Sequence, residues 1–401
     1  MKVIAMTARA RRCRFQASAS GILLGLLIIA PVGARSENDD VIAAEVPRTE
    51  EYVPVPVAGP FEFPWSIGFL PDGGILVTEK PGRLRVVRPG QPISQVGGVP
   101  KVVSGSHAGL LDVAVAPDFV RTATLYLSYT HGTEEALTIR VLKARYDRTR
   151  NILVDKKVIF ESDPPMPGID QLGGRLALSG DGHLFLTLGD RWQPSMAQDL
   201  TNHTGTIIRI RTDGSVPEGN PFVSVPGAKP EIWSYGHRNP QGLVVDAVTG
   251  RIWSTEHGPQ GGDEVNLIEP GRNYGWPAIT YGIDYSGEPI GNGTHTPGME
   301  QPLHYWVPSI APSGLALKRE GESVSLWSGA LVGQMVVRLQ LGQDRILSEE
   351  RHLNGELGRI RDVREGPDGS LHVITDDPEG NLYKLVPATE SAGTMDSRKP
   401  L

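Results

Sequence analysis

The chain has 401 residues, of which 48 are Gly and 33 are Pro, about a fifth of the sequence against roughly 12% in ordinary globular chains. No Gly-X-Y period runs through it and apolar runs recur along its length, which excludes a collagen-like or wholly disordered chain and speaks against a helical bundle. With a formal net charge of −7 and 21% charged residues, it carries no basic footprint for nucleic acid or anionic lipid.

Residues 1–34 read as an export signal. Lys2, Arg9, Arg11, Arg12 and Arg14 make a basic start with no acidic residue before Glu37. An apolar run follows from Gly21 to Ala30, and Val32-Gly33-Ala34 suits cleavage after Ala34. The run is short for a membrane span, and no later segment resembles one; an uncleaved anchor is the alternative. Arg11-Arg12 with Phe15 also admits a twin-arginine route. Cleavage removes the single cysteine, Cys13, and five cations, so the mature protein has no disulfide and a net charge of −12. A periplasmic or secreted chain of this size can be held by its own core. Residues 35–50 are polar and acidic and read as a flexible leader; residues 388–401 read as a disordered tail.

Between these ends one pattern returns: an apolar stretch, a tight turn with Asp or Gly, then an alternating apolar strand. It runs over residues 67–78, 111–129, 175–187, 242–255, 314–327 and 363–375, the fifth copy being degenerate. Each unit cannot bury both faces alone, and stacking six of them radially is the natural solution. The expected fold is all-β, a six-bladed β-propeller over residues 51–387, with a β-sandwich as the alternative. Function is expected on the long segments 131–170, 190–235 and 258–310.

Motifs for nucleotides, NAD, serine hydrolysis or zinc proteolysis are absent. Distinctive strings stand in their place. They include Thr78-Glu79-Lys80-Pro81-Gly82-Arg83-Leu84, Gly109-Leu110-Leu111-Asp112-Val113-Ala114, Gly173-Gly174-Arg175-Leu176 with Gly189-Asp190, and Tyr235-Gly236-His237-Arg238-Asn239-Pro240-Gln241-Gly242. Glu256-His257-Gly258-Pro259, Asp263-Glu264-Val265-Asn266, Asn273-Tyr274-Gly275-Trp276-Pro277 and Gly358-Arg359-Ile360-Arg361-Asp362-Val363 follow. In this order and combination, over about residues 55–387, the chain resembles the soluble pyrroloquinoline quinone (PQQ)-dependent aldose sugar dehydrogenases of the glucose/sorbosone dehydrogenase family.

That resemblance implies a six-bladed propeller with PQQ and calcium on its top face. It also implies hydride transfer from the anomeric carbon of a small-molecule sugar and onward transfer to an electron acceptor. Arg238 and Asn239 are implied to contact the cofactor, joined by Arg359 and Arg361, whose planar guanidiniums suit its three carboxylates. The spacing of Arg359 and Arg361 places both on one side of a strand. The carbonyls of Gly258 and Pro259 are implied for one calcium, Glu264 and the carbonyl of Tyr274 for a second, structural one; calcium takes such hard oxygens.

Three positions depart from the family pattern. Gln171 stands where the family has its base histidine, His107 stands where it has glutamine, and Val332 replaces a lysine. A glutamine amide cannot accept a proton at neutral pH, whereas imidazole can. The reciprocal exchange suggests His107 as the base, and by the resemblance Asp190 matches the family aspartate that orients the base. A non-catalytic ligand-binding propeller and a calcium-dependent lactonase are the alternatives.

Overall fold

The computed structural model describes residues 51–389. The signal, the leader and nearly all of the tail expected from the sequence lie outside the described residues.

Among the described residues, 24 strands form six four-stranded antiparallel sheets. Blade 1 comprises Pro64–Phe69, Ile75–Glu79, Arg83–Val87 and Ser94–Val96. Blade 2 comprises Leu110–Val115, Thr124–Thr133, Ala136–Asp147 and Ile152–Glu161. Blade 3 comprises Gly173–Leu178, His183–Leu188, Thr206–Arg211 and Ile232–Tyr235. Blade 4 comprises Pro240–Val245, Ile252–Glu256, Asp263–Ile268 and His304–Trp306. Blade 5 comprises Pro312–Glu320, Ser323–Ala330, Met335–Leu341 and Ile346–His352. Blade 6 takes Ile360–Glu365, Leu371–Thr375 and Gly380–Pro387 from the end of the chain and its outermost strand, Tyr52–Phe61, from the beginning. The six-bladed β-propeller is therefore the observed fold, closed by pairing of its two ends, with Tyr52 opposite Pro387.

The six repeats map onto the two inner strands of the six blades. Their alternation buries both faces: Leu76, Val77, Leu125, Leu127, Leu184 and Leu186 are all at 0% exposure. Six apolar clusters result, one at each contact between neighbouring blades. Trp327, fully buried in blade 5, packs edge-on against Tyr52 of the closing strand at 5.3 Å between ring centroids.

The segments expected to be long functional loops are largely something else. Residues 131–170 contain most of the two outer strands of blade 2, and 190–235 contain the outer strands of blade 3. The extended irregular connections within these segments are 212–231 and 269–303. The outer strands escape sequence reading because their faces are mixed, as in the intermediate-and-exposed pattern of Ile346–His352.

The axial channel is plugged by charge. Asp112, Arg175, Asp362 and Arg364 lie on the inner strands of blades 2, 3 and 6. Arg364 reaches Asp112 and Asp362 at 3.0 Å each, and Arg175 reaches Asp362 at 3.2 Å. Asp112 also accepts from the Ser66 hydroxyl of blade 1 and from the Leu176 amide of blade 3, the latter at 2.7 Å. The two carboxylates hold Arg364 above its ordinary pKa although burial opposes this, whereas burial lowers Arg175 despite them. One cavity opens above this plug, and a smaller one of about 300 Å³ opens below it.

Candidate active site

In an antiparallel blade the start of the innermost strand and the end of the second strand lie side by side. All such segments therefore meet on one face of the ring. A cavity of about 600 Å³ opens there, lined from almost every blade: Trp65 and Lys80 from blade 1, His107 ahead of blade 2, Gln171 and Trp192 around blade 3. Arg238, Asn239, His257 and Pro259 come from blade 4, Val332 from blade 5, and Arg359, Arg361 and Asp376 from blade 6; Tyr285 reaches in from the long connection.

Each inner strand pair carries a register shift at this same end. The shifts fall between Pro64 and Ser66, Leu110 and Val113, Gly173 and Leu176, Pro240 and Gly242, Pro312 and Leu315, and Ile360 and Asp362. A bulge breaks the alternation and re-aims side chains. It is why Gln241 and Arg361, both inside bulges, line the cavity.

Cations dominate one wall. Arg359 places Nη2 2.9 Å from Asp376, and Arg361 places Nη2 3.0 Å from the same carboxylate. Burial alone would raise Asp376, but Arg361, Lys80 and Arg359 hold it well below the carboxylate range.

Arg238, 4% exposed, lies on the opposite wall among Trp276, Trp192 and Tyr285, with its guanidinium 5.3, 5.6 and 6.0 Å from their ring centroids. Its Nη1 donates to the Gly258 carbonyl at 2.6 Å and to that of His257 at 3.2 Å. Asn239 accepts from the Gly173 amide and from the Gln241 side chain, at 3.2 and 3.1 Å.

Gln171 sits between Asp190 and Arg238. Oriented to satisfy both, its amide nitrogen donates to Asp190 Oδ1 at 2.5 Å and its oxygen accepts from Arg238 Nη2 at 3.1 Å. Gln171, Arg191 and Trp192 all have left-handed backbones, with φ of 48°, 57° and 57°. Such conformations cost energy in non-glycine residues and cluster at functional sites.

Asp190 does not line the cavity; it lies behind Gln171, accepting from Trp276 Nε1 at 2.8 Å. Burial pushes it up to about 6, against the pull of Arg238 and the Trp276 bond. From pH 4 to 6 the unfolded chain releases this proton while the folded protein keeps it. Stability therefore falls as pH rises through that window, by on the order of 3 kcal/mol in total, and is level above it. Asp190→Asn should remove this slope, read as urea midpoints at pH 4.5 and pH 7.

His107 lines the cavity as an imidazole, but its bonding differs from that of a ready base. The Gln171 backbone amide donates to His107 Nδ1 at 3.0 Å, which in a neutral ring places the proton on Nε2. Burial, with Arg361 and Lys80, lowers its pKa against the opposing pull of Asp170. The ring is thus neutral at pH 7 and presents an N–H in this arrangement. The Asp170 carboxylate, bonded to the Ser106 hydroxyl, lies 3.8 Å from the same Nδ1. In the other tautomer Nδ1–H faces Asp170 and Nε2 is free to accept a proton.

The residues expected to hold calcium fall into two groups. Glu264 and Tyr274 line one small cavity with Glu256 and Thr280. Burial and the nearby Glu256 carboxylate raise Glu264 well above the ordinary glutamate value. Glu264 receives one side-chain bond, from Asn266 at 3.1 Å, whose own Oδ1 is buried without a partner. A half-buried carboxylate beside an orphaned amide oxygen is the donor chemistry a hard cation takes, so this group fits calcium. The Gly258 carbonyl is engaged by Arg238; a cation there requires the guanidinium to withdraw. Among the described residues no three His, Cys, Asp or Glu side chains converge on one metal position, so main-chain and amide oxygens must complete either site.

Sequence reasoning passed over Lys80, Trp65, Trp192, Tyr285, His257 and Asp376, all of which line the cavity. His257 is a fixed tautomer: its Nε2 is 2.8 Å from the Pro312 carbonyl, and burial with the Arg238 charge lowers it to about 3.

A six-bladed propeller with a cationic, aromatic-walled cavity at its axial mouth is a small-molecule-binding propeller. The family model described as Glucose / Sorbosone dehydrogenase matches residues 61–384. Aldose sugar dehydrogenase YliI of Escherichia coli K12 is 39% identical over 335 residues, covering 81% of this chain and 90% of that protein. The crystal structure of the soluble E. coli aldose sugar dehydrogenase in its apo form is 38% identical, with a TM-score of 0.80 over 84% of this chain and 99% of that one. The PQQ-bound aldose sugar dehydrogenase of Streptomyces coelicolor is 28% identical, with a TM-score of 0.72 over 84% and 98%. The chain belongs to the glucose/sorbosone dehydrogenase family, and it is an oxidoreductase acting on CH–OH donors. Among the described residues no helix is long and apolar enough to cross a membrane.

Proposed function

We propose that this protein is an exported, PQQ- and calcium-dependent dehydrogenase that oxidises an aldose at its anomeric carbon and passes the electrons to a separate acceptor. The observation that carries this reading is the cation excess of the cavity. Arg238, Arg359, Arg361 and Lys80 line it in a chain whose net charge is −7. Such a concentration of donors suits a planar polycarboxylate.

When bound, the quinone supplies the hydride acceptor. Arg359 and Arg361 would hold its carboxylates, and Arg238 with Asn239 would donate to its quinone edge and favour the charge that reduction places there. Calcium, bound through the Gly258 and Pro259 carbonyls once Arg238 turns from Gly258, would supply a Lewis acid at the same edge. Glu264 and the Tyr274 carbonyl would hold the structural ion. His107, in the tautomer that turns Nδ1–H to Asp170, takes the sugar hydroxyl proton on Nε2. Gln171 keeps Arg238 and Asp190 apart and in place.

The purified apoprotein supplied with PQQ, Ca²⁺, an aldose and an artificial acceptor dye should reduce the dye, and omission of any one should stop it. Excess EGTA should do the same. Absence of a quinone absorbance shift on titration would remove the dehydrogenase reading. A shift without dye reduction would favour the second reading, a propeller that binds without turnover, which the amide at position 171 motivates. Release of acid from a lactone without quinone would identify a lactonase.

A further inference from the structure

Lys80 follows the second strand of blade 1 and is fixed from both sides. Its amide donates to the Phe63 carbonyl and its carbonyl accepts from the Leu110 amide of blade 2, each at 3.1 Å. The neighbouring chain can approach this closely because residue 109 is glycine. With φ at +151°, a Cβ on Gly109 would lie 2.2 Å from the Lys80 carbonyl oxygen. The backbone thus delivers the side chain to the cavity wall, where its Nζ passes 4.9 Å from the Phe63 ring and donates to the Ser106 carbonyl at 2.9 Å.

The wall around it has more positive charge than it can neutralise. Asp376 interacts with Lys80, Arg359 and Arg361 alike, and both arginines already bond to it. Lys80 makes no ion pair with it within 4 Å, and its pKa is lowered by burial and by both arginines. A half-buried ammonium with two like charges close by and one shared acid gains most from an anionic ligand. In the same cavity, Val332 contributes no charge and is largely exposed.

We infer that Lys80 is the third cation of a polycarboxylate clamp formed with Arg359 and Arg361, and that it supplies the positive charge that position 332 lacks. The inference rests on the proposed function only in naming PQQ as the natural occupant; the clamp itself would take any small planar di- or tricarboxylate of suitable size.

The apoprotein should be titrated with two probes, PQQ in the presence of Ca²⁺ and benzene-1,3,5-tricarboxylate alone, by quenching of the cavity tryptophans and by calorimetry. Lys80→Ala should weaken both by about tenfold or more, as loss of one charge-assisted hydrogen bond implies. Lys80→Arg should retain most of the affinity, and binding of both probes should weaken with salt. If the tricarboxylate binds in a Lys80-dependent way and PQQ does not, the clamp stands and the dehydrogenase reading falls. Wild-type affinity in Lys80→Ala for either probe overturns the inference, as does failure of the wild-type protein to bind both. Far-ultraviolet circular dichroism of each variant separates lost binding from lost fold.

Discussion

Asp112→Ala should lower the free energy of unfolding by about 3–5 kcal/mol, the range for removing one partner from a buried ion pair. The carboxylate is at 0% exposure and accepts from Ser66, Val113, Leu176 and Arg364. It therefore ties together blades 1, 2, 3 and 6. Its loss leaves Arg364 with Asp362 alone, and leaves Arg175, whose Nη1 and Nη2 already lack hydrogen-bond partners, with one acid instead of two. Asp112→Asn keeps the shape and some acceptors and should cost less. Urea denaturation of both variants is the measurement; an unchanged midpoint for the alanine variant would show that the plug contributes nothing to stability.

His107→Ala should lower kcat by a factor of about 10²–10⁴, the contribution of a positioned acid–base group, with the thermal midpoint and calcium response unchanged. The informative comparison is His107→Gln. An amide can donate a hydrogen bond but cannot take a proton at neutral pH. If the imidazole is the base, His107→Gln should be as inactive as His107→Ala. Retained turnover in His107→Gln would assign the ring the donor role that its present bond from the Gln171 amide favours. The double variant His107→Gln with Gln171→His moves the imidazole to position 171 and should recover activity, because that position already has Asp190 beside it.

How far the fold could be read from the sequence follows from burial. Inner strands such as His183–Leu188 are largely buried on both faces and are entered through tight turns with Asp or Gly, so six copies stand out. Strands of three residues, such as Ser94–Val96 and His304–Trp306, leave no periodic signal. The closing strand is disguised further, since Pro54 and Pro56 lie within it and proline argues against a strand unless it is at an edge. In the site, the arginine strings were visible through family resemblance alone. Lys80 has no distinct sequence signal, because a lysine before Pro-Gly has the composition of a solvated turn. The charge plug does carry a sequence signal: Asp112, Arg175, Asp362 and Arg364 interrupt strands that are otherwise largely apolar. A charge in a doubly buried strand must have a partner. The tautomer of His107 had no sequence signal, because it depends on an amide 64 residues away.

The pairing of Tyr52–Phe61 with Gly380–Pro387 also sets the order in which the molecule can be assembled. The strand Tyr52–Phe61 has no partner until Gly380–Pro387 is complete, so ring closure is the contact of greatest sequence separation among the described residues and the slowest to find. Five blades can form as local hairpins while blade 6 stays open. A circular permutant that joins residue 387 to residue 52 through a short added turn and opens the chain at residue 62 would turn that final long-range search into one more local hairpin. The ring would then close through apolar packing between blades 6 and 1 instead of through strand pairing.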